Sequence, residues 1–510
     1  MPVRVAAAAK ATKVGVGAAV AVIAGGGDKS TDIKNTSVTS AELARDLTAV
    51  ALTINAESSR SYEAYATASA GGGKDKDASE TSDAQSTQNL QNTENYQQGT
   101  DGADQNTGSG GAKVTVAAAV GVAAAQDLVT AKLGDVTVSL TNNLTVSSTN
   151  DTNIATKGDG AADGAKVGVA VGVALSISNN FAKAQIADGA TVARAGAINV
   201  TANTSQNMAH AEGKTDFLNG LAAIAYAGAS STKVSVAGAL AVDVSNTATS
   251  APIGDNVTIG NLGRVGAVNV TADNSSRMSA KSTSMARSGK VGVGASVAVI
   301  VSDNSYTANV GAGTTITSGA VTVRATNAKI PPLPAGFTFS DLENFQNTIV
   351  NKPLFGAGNY YVEAIGGAQA SKVAVQGSFA VMVFSDKTSA AISNSLNDPA
   401  STAATTVDSA GANVTVSADN DYNAKALSGA VALSSKVGVG ISSSVIVGSG
   451  ETTSQLGVNT KLTNAGTVDI TADGNQEIDV IGISAAGGSS VGVAGVATIL
   501  ISENNVEALI

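Results

Sequence analysis

The chain has 510 residues, a net charge of −10, one histidine and no cysteine or tryptophan. Without cysteine, disulfide frameworks and thiol chemistry are excluded, and an acidic chain lacks the clustered cations that nucleic acid phosphates require. Only 3% of the residues are aromatic, which predicts a core of small and β-branched side chains. We expect no transmembrane segment, because the apolar runs are short and alternating.

A short motif of alternating valine and glycine, usually preceded by lysine, recurs along the whole chain. Its fullest form is Lys290-Val291-Gly292-Val293-Gly294. Copies begin at Lys13, Lys113, Lys166, Lys233, Lys290, Lys372 and Lys436, and a copy without lysine begins at Ser490. Recurrence at a period of tens of residues indicates an array of identical supersecondary units.

A second motif, a short alternating strand that ends in a polar turn, follows the first. Its copies begin at Leu52, Val136, Ile198, Val268, Val321, Val414 and Val468. Val321 lies 31 residues after Lys290, and Lys436 lies 22 residues after Val414, so the basic unit has 53 residues. Longer spacings occur mostly between this motif and the next lysine. They therefore predict loop insertions on one edge of the array.

The alternation after Lys290 extends over about twelve residues, which indicates a long β-strand. Because no helical periodicity occurs between the strands, we predict an all-β fold. Its predicted form is a right-handed parallel β-solenoid of about eight coils. Residues 1–510 would form one array, and the incomplete units at both ends indicate a fragment of a longer repeat protein. We expect the valines to be buried and identical residues to stack in ladders, including valine, asparagine and threonine ladders. An antiparallel hairpin array or a string of sandwiches also fits the strand pattern.

The first large insertion, 71–112, is polar and flexible by composition. Its acidic residues are Asp75, Asp77, Glu80, Asp83, Glu94, Asp101 and Asp104. Carboxylate oxygens are the ligands that Ca²⁺ prefers, but the spacing matches no EF-hand loop. We therefore predict no cofactor and a solvated loop, with a Ca²⁺-dependent or adhesive loop as the alternative.

The second insertion, 329–361, concentrates proline and aromatic residues, and Ser340 and Glu343 could cap a short helix that ends near Val350. Its aromatic residues are the candidate partner contacts, namely Phe337, Phe339, Phe345, Phe355, Tyr360 and Tyr361. Either they dock another subunit or ligand, or they pack against the flank of the solenoid.

Few residues could support catalysis. His210 is the only histidine, so neither a metal cluster nor a Ser-His-Asp triad is expected. Asp273 and Asp419 could align on neighbouring coils, as in a β-helical polysaccharide-active enzyme, but a catalytic pair should not recur with the repeat. We predict that the protein is not an enzyme and has no catalytic or metal-binding residues. The recurrent lysines either bind an anionic surface or lie in solvent at the strand starts.

The lysine motif, an Asp-Asn turn and the Gly-x-Val-x-Val-Thr-Ala-Asp-Asn strand together resemble the repeats of giant bacterial filamentous adhesins, including leukotoxin-like filamentous adhesins. The resemblance covers the chain apart from its insertions. It implies a secreted or cell-surface protein whose β-helical shaft contacts cells or matrix. The alternatives are a self-assembling extracellular fibre or sheath subunit, with end-to-end association of copies, and a polysaccharide-active enzyme.

Overall fold

The computed structural model describes residues 2–11, 13–25, 37–72, 113–164, 166–206, 221–331, 358–393 and 403–510. All regular elements in these ranges are β-strands, and they pair in parallel. Twenty consecutive residues of one long strand pair in register with those of the next. The predicted parallel β-solenoid is therefore confirmed and the antiparallel hairpin array is excluded, while the hand of the coil stays a prediction.

Each coil has two long faces and one short face. Face B is a nine-stranded sheet, whereas faces A and C share one strand and form a 17-stranded sheet. The strands of face B are β2 (Val14–Gly25), β3 (Ser37–Leu43), β6 (Val114–Leu133), β9 (Val167–Ile186), β13 (Val234–Ile253), β17 (Val291–Val310), β20 (Val373–Ile392), β23 (Val437–Leu456) and β26 (Val491–Leu509). The short strands of face C are β4 (Leu47–Ala49), β7 (Thr137–Leu140), β10 (Thr191–Arg194), β14 (Thr258–Ile259), β21 (Thr405–Asp408) and β24 (Thr460–Thr463). The strands of face A are β1 (Pro2–Ala11), β5 (Leu52–Gly72), β8 (Leu144–Gly164), β11 (Ala197–Gln206), β12 (Leu221–Ser231), β15 (Val265–Ser276), β16 (Met278–Ser288), β19 (Tyr360–Ala370), β22 (Val414–Ser434) and β25 (Val468–Gly487), and β18 (Thr315–Asn327) runs from face C into face A.

Each of the first seven coils follows the same path, from face B through a short strand on face C to face A, and most of them end in a tight turn; the eighth consists of β26 on face B. Val114 and Val167 pair directly and lie 53 positions apart, which confirms the basic unit. The predicted number of eight coils is also confirmed, because eight successive strands begin on face B at the equivalent position, namely β2, β6, β9, β13, β17, β20, β23 and β26.

Two apolar cores lie between the long faces, with a polar layer between them. The first core is rich in branched side chains such as Val146, Ile198 and Ile253. The second lies towards the lysine turns and consists mainly of alanines such as Ala64 and Ala225. Buried asparagine, serine, threonine and aspartate side chains form the layer between the cores. The coil therefore combines a conventional core with a thin, alanine-lined one.

The valines of the lysine motif point away from the interior, which corrects the expectation that they are buried. In β17 the inward positions are occupied by residues such as Gly292, while Val293 lies on the outer side and is partly exposed. Lack of space is the reason. A Cβ atom added to Gly172 would overlap the carbonyl oxygen of Tyr226 on face A. The two faces converge towards the lysine turn, so only the smallest residues fit between them.

The extra length of the longer coils leaves the described strands at several positions. Residues 207–220 lie between β11 and β12 and residues 332–357 between β18 and β19, in both cases between two strands of face A. Residues 73–112 follow β5, residues 394–402 follow β20, and residues 26–36 lie between two strands of face B. Most of both predicted insertions, including the predicted helix, therefore lies outside the described residues.

The predicted asparagine ladder is present on the inner side of face A. The side-chain amide of Asn274 donates to Asn327 at 2.9 Å, and Asn327 donates in turn to Asn420 at 2.9 Å. The Thr204 hydroxyl donates to Asn274 at 2.9 Å and extends the ladder by one coil. All four side chains are buried, so water cannot satisfy these polar groups if a hydrogen bond of the ladder is lost.

Replacing Asn327 by leucine is expected to lower the free energy of unfolding by about 2–4 kcal/mol, because one buried donor and one buried acceptor lose their partner. Urea denaturation followed by circular dichroism measures this change. The matched control is Asn269→Leu, since Asn269 donates to Asn199 at 2.9 Å on the half-buried outer side of the same face. Water can replace that bond, so equal losses in both variants would contradict a structural role for the ladder.

Candidate interaction face

The outer side of face B carries a continuous array of aliphatic side chains. We define the apolar face as the six outward positions in the first eleven residues of each of the eight strands that begin a coil. It starts at Val14, Val114, Val167, Val234, Val291, Val373, Val437 and Val491. Of these 48 positions none carries a charge, and Ser443 is the one polar residue. The remaining positions hold mainly valine, leucine and isoleucine, with alanine, glycine and one phenylalanine.

Solvent reaches the apolar face even where its strands have neighbours on both sides. In central coils Val236 is 36% exposed, Phe379 43% and Ile441 46%. Strands that rise about 3.3 Å per residue and lie about 4.8 Å apart give this face an area on the order of 1,200 Å². Exposed apolar patches on monomers rarely exceed a few hundred Å², and larger ones mark interaction sites. The apolar face is therefore the candidate functional surface.

A row of lysines borders the apolar face along the tight turn that leads into face B. Its members, the lysine row, are Lys13, Lys113, Lys166, Lys233, Lys290, Lys372 and Lys436, and all are exposed. Their carbonyl groups continue the hydrogen-bond ladder: the Val167 N–H donates to Lys113 at 3.0 Å, and the Val234 N–H donates to Lys166 at 3.0 Å. None of these lysines forms an ion pair with another residue of the described ranges. The lysine row thus places positive charge, which no other described residue neutralises, beside an uncharged surface.

Two of the six predicted partner contacts are buried, Tyr360 on the inner side of β19 and Tyr361 on its outer side. The Tyr360 hydroxyl donates to both carboxylate oxygens of Asp386, at 2.7 and 2.8 Å, and the Tyr360 ring stacks on Phe384 with centroids 4.9 Å apart. The Tyr361 hydroxyl donates to the Glu363 carboxylate. Because Tyr360 is 4% exposed and Tyr361 is fully buried, we assign both to packing and not to a contact surface. The other four contacts, Phe337, Phe339, Phe345 and Phe355, lie outside the described residues.

Several buried carboxyl groups, among them Asp386 and Asp243, are polar features that the sequence pattern did not predict. Burial raises the pKa of Asp386 to about 6, against the opposing effect of hydrogen bonds from Asn304 and Tyr360. Burial also raises the pKa of Asp243 well above its usual value, although the Ser279 N–H donates to it at 3.2 Å. A signal was available, because Asp386 pairs in register with Asn304 at an inward position. Polar residues at the same position of successive repeats indicate an internal polar layer.

The residues considered for metal binding and catalysis form no site in the described ranges. Asp75 to Asp104 and His210 lie outside those ranges, within which no cluster of three or more potential metal ligands occurs. Asp273 and Asp419 share one outward column of face A, but both pair with Thr326, so a coil separates them. Burial raises the pKa of both carboxyl groups, and neighbouring carboxylates add to the shift at Asp419. Asp473 pairs with Asp419 on the following coil, so carboxylates recur along this column.

Comparison of the chain with protein-family models, with curated proteins and with solved structures finds no match. Within the residues that the structure describes, no helix is long and apolar enough to cross a membrane.

Proposed function

We propose that this chain is a structural and adhesive shaft of a large secreted or cell-surface bacterial protein. It would mediate cell–cell, cell-surface or matrix contact outside the cell. The observation that carries the proposal is the apolar face, whose area on the order of 1,200 Å² follows from strand geometry. A β-solenoid suits this role, because each coil contacts only its neighbours and the stack extends in one direction. The resemblance of the repeats to filamentous adhesins supports the same role.

A second candidate function is that of a self-assembling extracellular fibre or sheath subunit. The same observation favours it, because an uncharged, exposed β-sheet face can associate with other copies as readily as with a foreign surface. Both candidates require the apolar face to be available. They differ in whether the partner is another copy of the chain or a different cell-surface or matrix component.

Beads that carry the full chain are expected to be retained on at least one of three surfaces: bacterial cells, a matrix protein layer or a layer of the chain itself. Retention at least tenfold above an albumin layer is the expected result. The double variant Val236→Glu with Val299→Glu, called the face variant, places two charges in the apolar face. It should lose most of this retention, because a carboxylate buried in an apolar contact is strongly unfavourable.

The matched control variant is Thr201→Glu with Thr415→Glu, which places the same charges on the outer side of face A. Both threonines are partly exposed outward residues of that face. We expect the control variant to be retained like the unmodified chain. Two outcomes would exclude an adhesive role of the apolar face. In the first, the full chain is retained on none of the three surfaces more strongly than on albumin. In the second, the face variant is retained as strongly as the unmodified chain.

A further inference from the structure

We propose that the apolar face binds the apolar face of a second copy of this chain, so that two solenoids pack side by side. This inference rests on the proposed function, because it names the partner of the same surface. Two sheets that pack face to face lie about 10 Å apart and interdigitate their side chains. The apolar face supplies such a layer, since its aliphatic side chains repeat in register from coil to coil.

The size and composition of the apolar face match a homodimer interface. Standard protein interfaces bury about 800 Å² per partner, and the apolar face offers on the order of 1,200 Å² from its strand dimensions. Interfaces of homodimers are more apolar than other contact surfaces, and charged residues are depleted at their centre. One polar residue and no charge among 48 positions agrees with that composition.

Charge complementarity indicates how the two copies are arranged. Beyond the apolar face, the outward positions of the face-B strands carry charges of both signs. The acidic residues are Glu42, Asp303, Glu451, Glu503 and Glu507, and the basic residues are Lys132, Lys183 and Lys387. The lysine row lies at the opposite border. A two-fold axis parallel to the solenoid axis reverses the strand direction of the second copy. It therefore places the lysine row of each copy above this border of the other, where five carboxylates outnumber three ammonium groups.

The first test is sedimentation of the full chain in analytical ultracentrifugation. We expect a concentration-dependent species of twice the 49.7 kDa mass of the chain. The face variant should sediment as a monomer, and the control variant should still dimerise. Thermal unfolding of both variants monitors their folding, because all four substitutions are at outward positions.

The second test uses the absence of cysteine from the chain, which makes an introduced thiol unique. Val297 lies near the middle of the apolar face, close to the proposed two-fold axis. The variant Val297→Cys should form covalent dimers with a short bis-maleimide reagent, whereas Thr271→Cys on face A should not. This readout does not depend on a variant that prevents association.

Several outcomes would overturn the proposal. It is contradicted if the chain is a monomer at all concentrations, or if the face variant still dimerises. It is also contradicted if Thr271→Cys is cross-linked and Val297→Cys is not. A monomer that co-sediments with phosphatidylglycerol vesicles would identify a lipid surface as the occupant instead. A monomer that is still retained on cells or matrix would leave the proposed function intact, whereas a dimer that is not retained on cells or matrix would refute the adhesive role alone.

Discussion

Replacing Lys281 by methionine is expected to lower the free energy of unfolding by about 3–5 kcal/mol, because it leaves an uncompensated charge in a buried site. The Lys281 ammonium lies 3.1 Å from the Glu363 carboxylate, and the two side chains are 4% and 0% exposed. Their strands, β16 and β19, pair directly at these two residues. On the next strands outward, Ile224 pairs with Lys281 and Leu427 pairs with Glu363. Neither position therefore offers Glu363 a second cation.

The double variant Lys281→Met with Glu363→Gln is expected to recover most of the lost stability. Glutamine keeps an acceptor for the Tyr361 hydroxyl, which donates to the Glu363 carboxylate, and the site then holds no charge. Replacing a buried ion pair by neutral groups of similar volume is often nearly neutral in stability, whereas removing one partner is not. Urea denaturation of the two variants therefore separates the cost of an orphaned charge from the cost of lost packing.

A surface ion pair of the same type is the control. Lys387 lies 3.8 Å from Glu451, and both side chains are more than half exposed. Lys387→Met should change the free energy of unfolding by less than about 1 kcal/mol, because exposed pairs contribute little. If Lys281→Met has an equally small effect, or if the double variant is no more stable than Lys281→Met, the buried pair is not a stabilising element.

The solenoid is expected to lose stability as the pH rises from 4 to 7. Asp386 is fully buried and its pKa in the folded chain is about 6, whereas an unfolded aspartate titrates near 3.9. Between these values the folded chain binds the proton more tightly than the unfolded chain, so the contribution of Asp386 to stability is greatest below about pH 4. It falls as the pH passes through 6, by about 3 kcal/mol for a shift of two pKa units. Asp243, whose pKa is also raised by burial, acts in the same direction.

The variant Asp386→Asn tests this pH dependence. Its free energy of unfolding should vary less between pH 4 and 7, and at pH 7 it should exceed that of the unmodified chain. The control is Asp408→Asn on face C, because hydrogen bonds from Arg264 lower the pKa of that exposed carboxyl group. Asp408→Asn should leave the decline in stability between pH 4 and 7 intact. An unmodified chain with constant stability over this range, or a decline that persists unchanged in Asp386→Asn, would contradict the assignment.

The repeat alone predicts most of the architecture. Identical motifs every 53 residues predict stacking in register, and Val114 and Val167 pair as that period requires. The asparagine ladder follows from the same regularity, since a repeated residue in a parallel in-register stack meets its own equivalent. These features depend on local sequence and on the period, both of which can be read along the chain.

The direction of the side chains cannot be derived in the same way. Alternation places Val293 and Gly292 on opposite sides of β17, but either side could face inward. The distance between faces A and B decides, and that distance is set by residues far apart in sequence, such as Gly172 and Tyr226. Because the faces converge towards the lysine turn, glycine and alanine fill the interior there and the valines of the lysine motif form the surface. The candidate interaction face was therefore not evident from hydrophobicity.

The sequence by itself thus determined the strand content, the period, the number of coils and the ladders, because each follows from repetition and alternation. Only the tertiary structure decided which side of face B meets solvent and that Tyr360 is internal. It also brought Lys281 and Asp386 into buried sites with their partners. Inside the coil, burial depends on how two faces approach each other, and no pattern along one strand contains that distance. Lys281 and Glu363 are buried on the outer side of face A, where alternation alone predicts exposure.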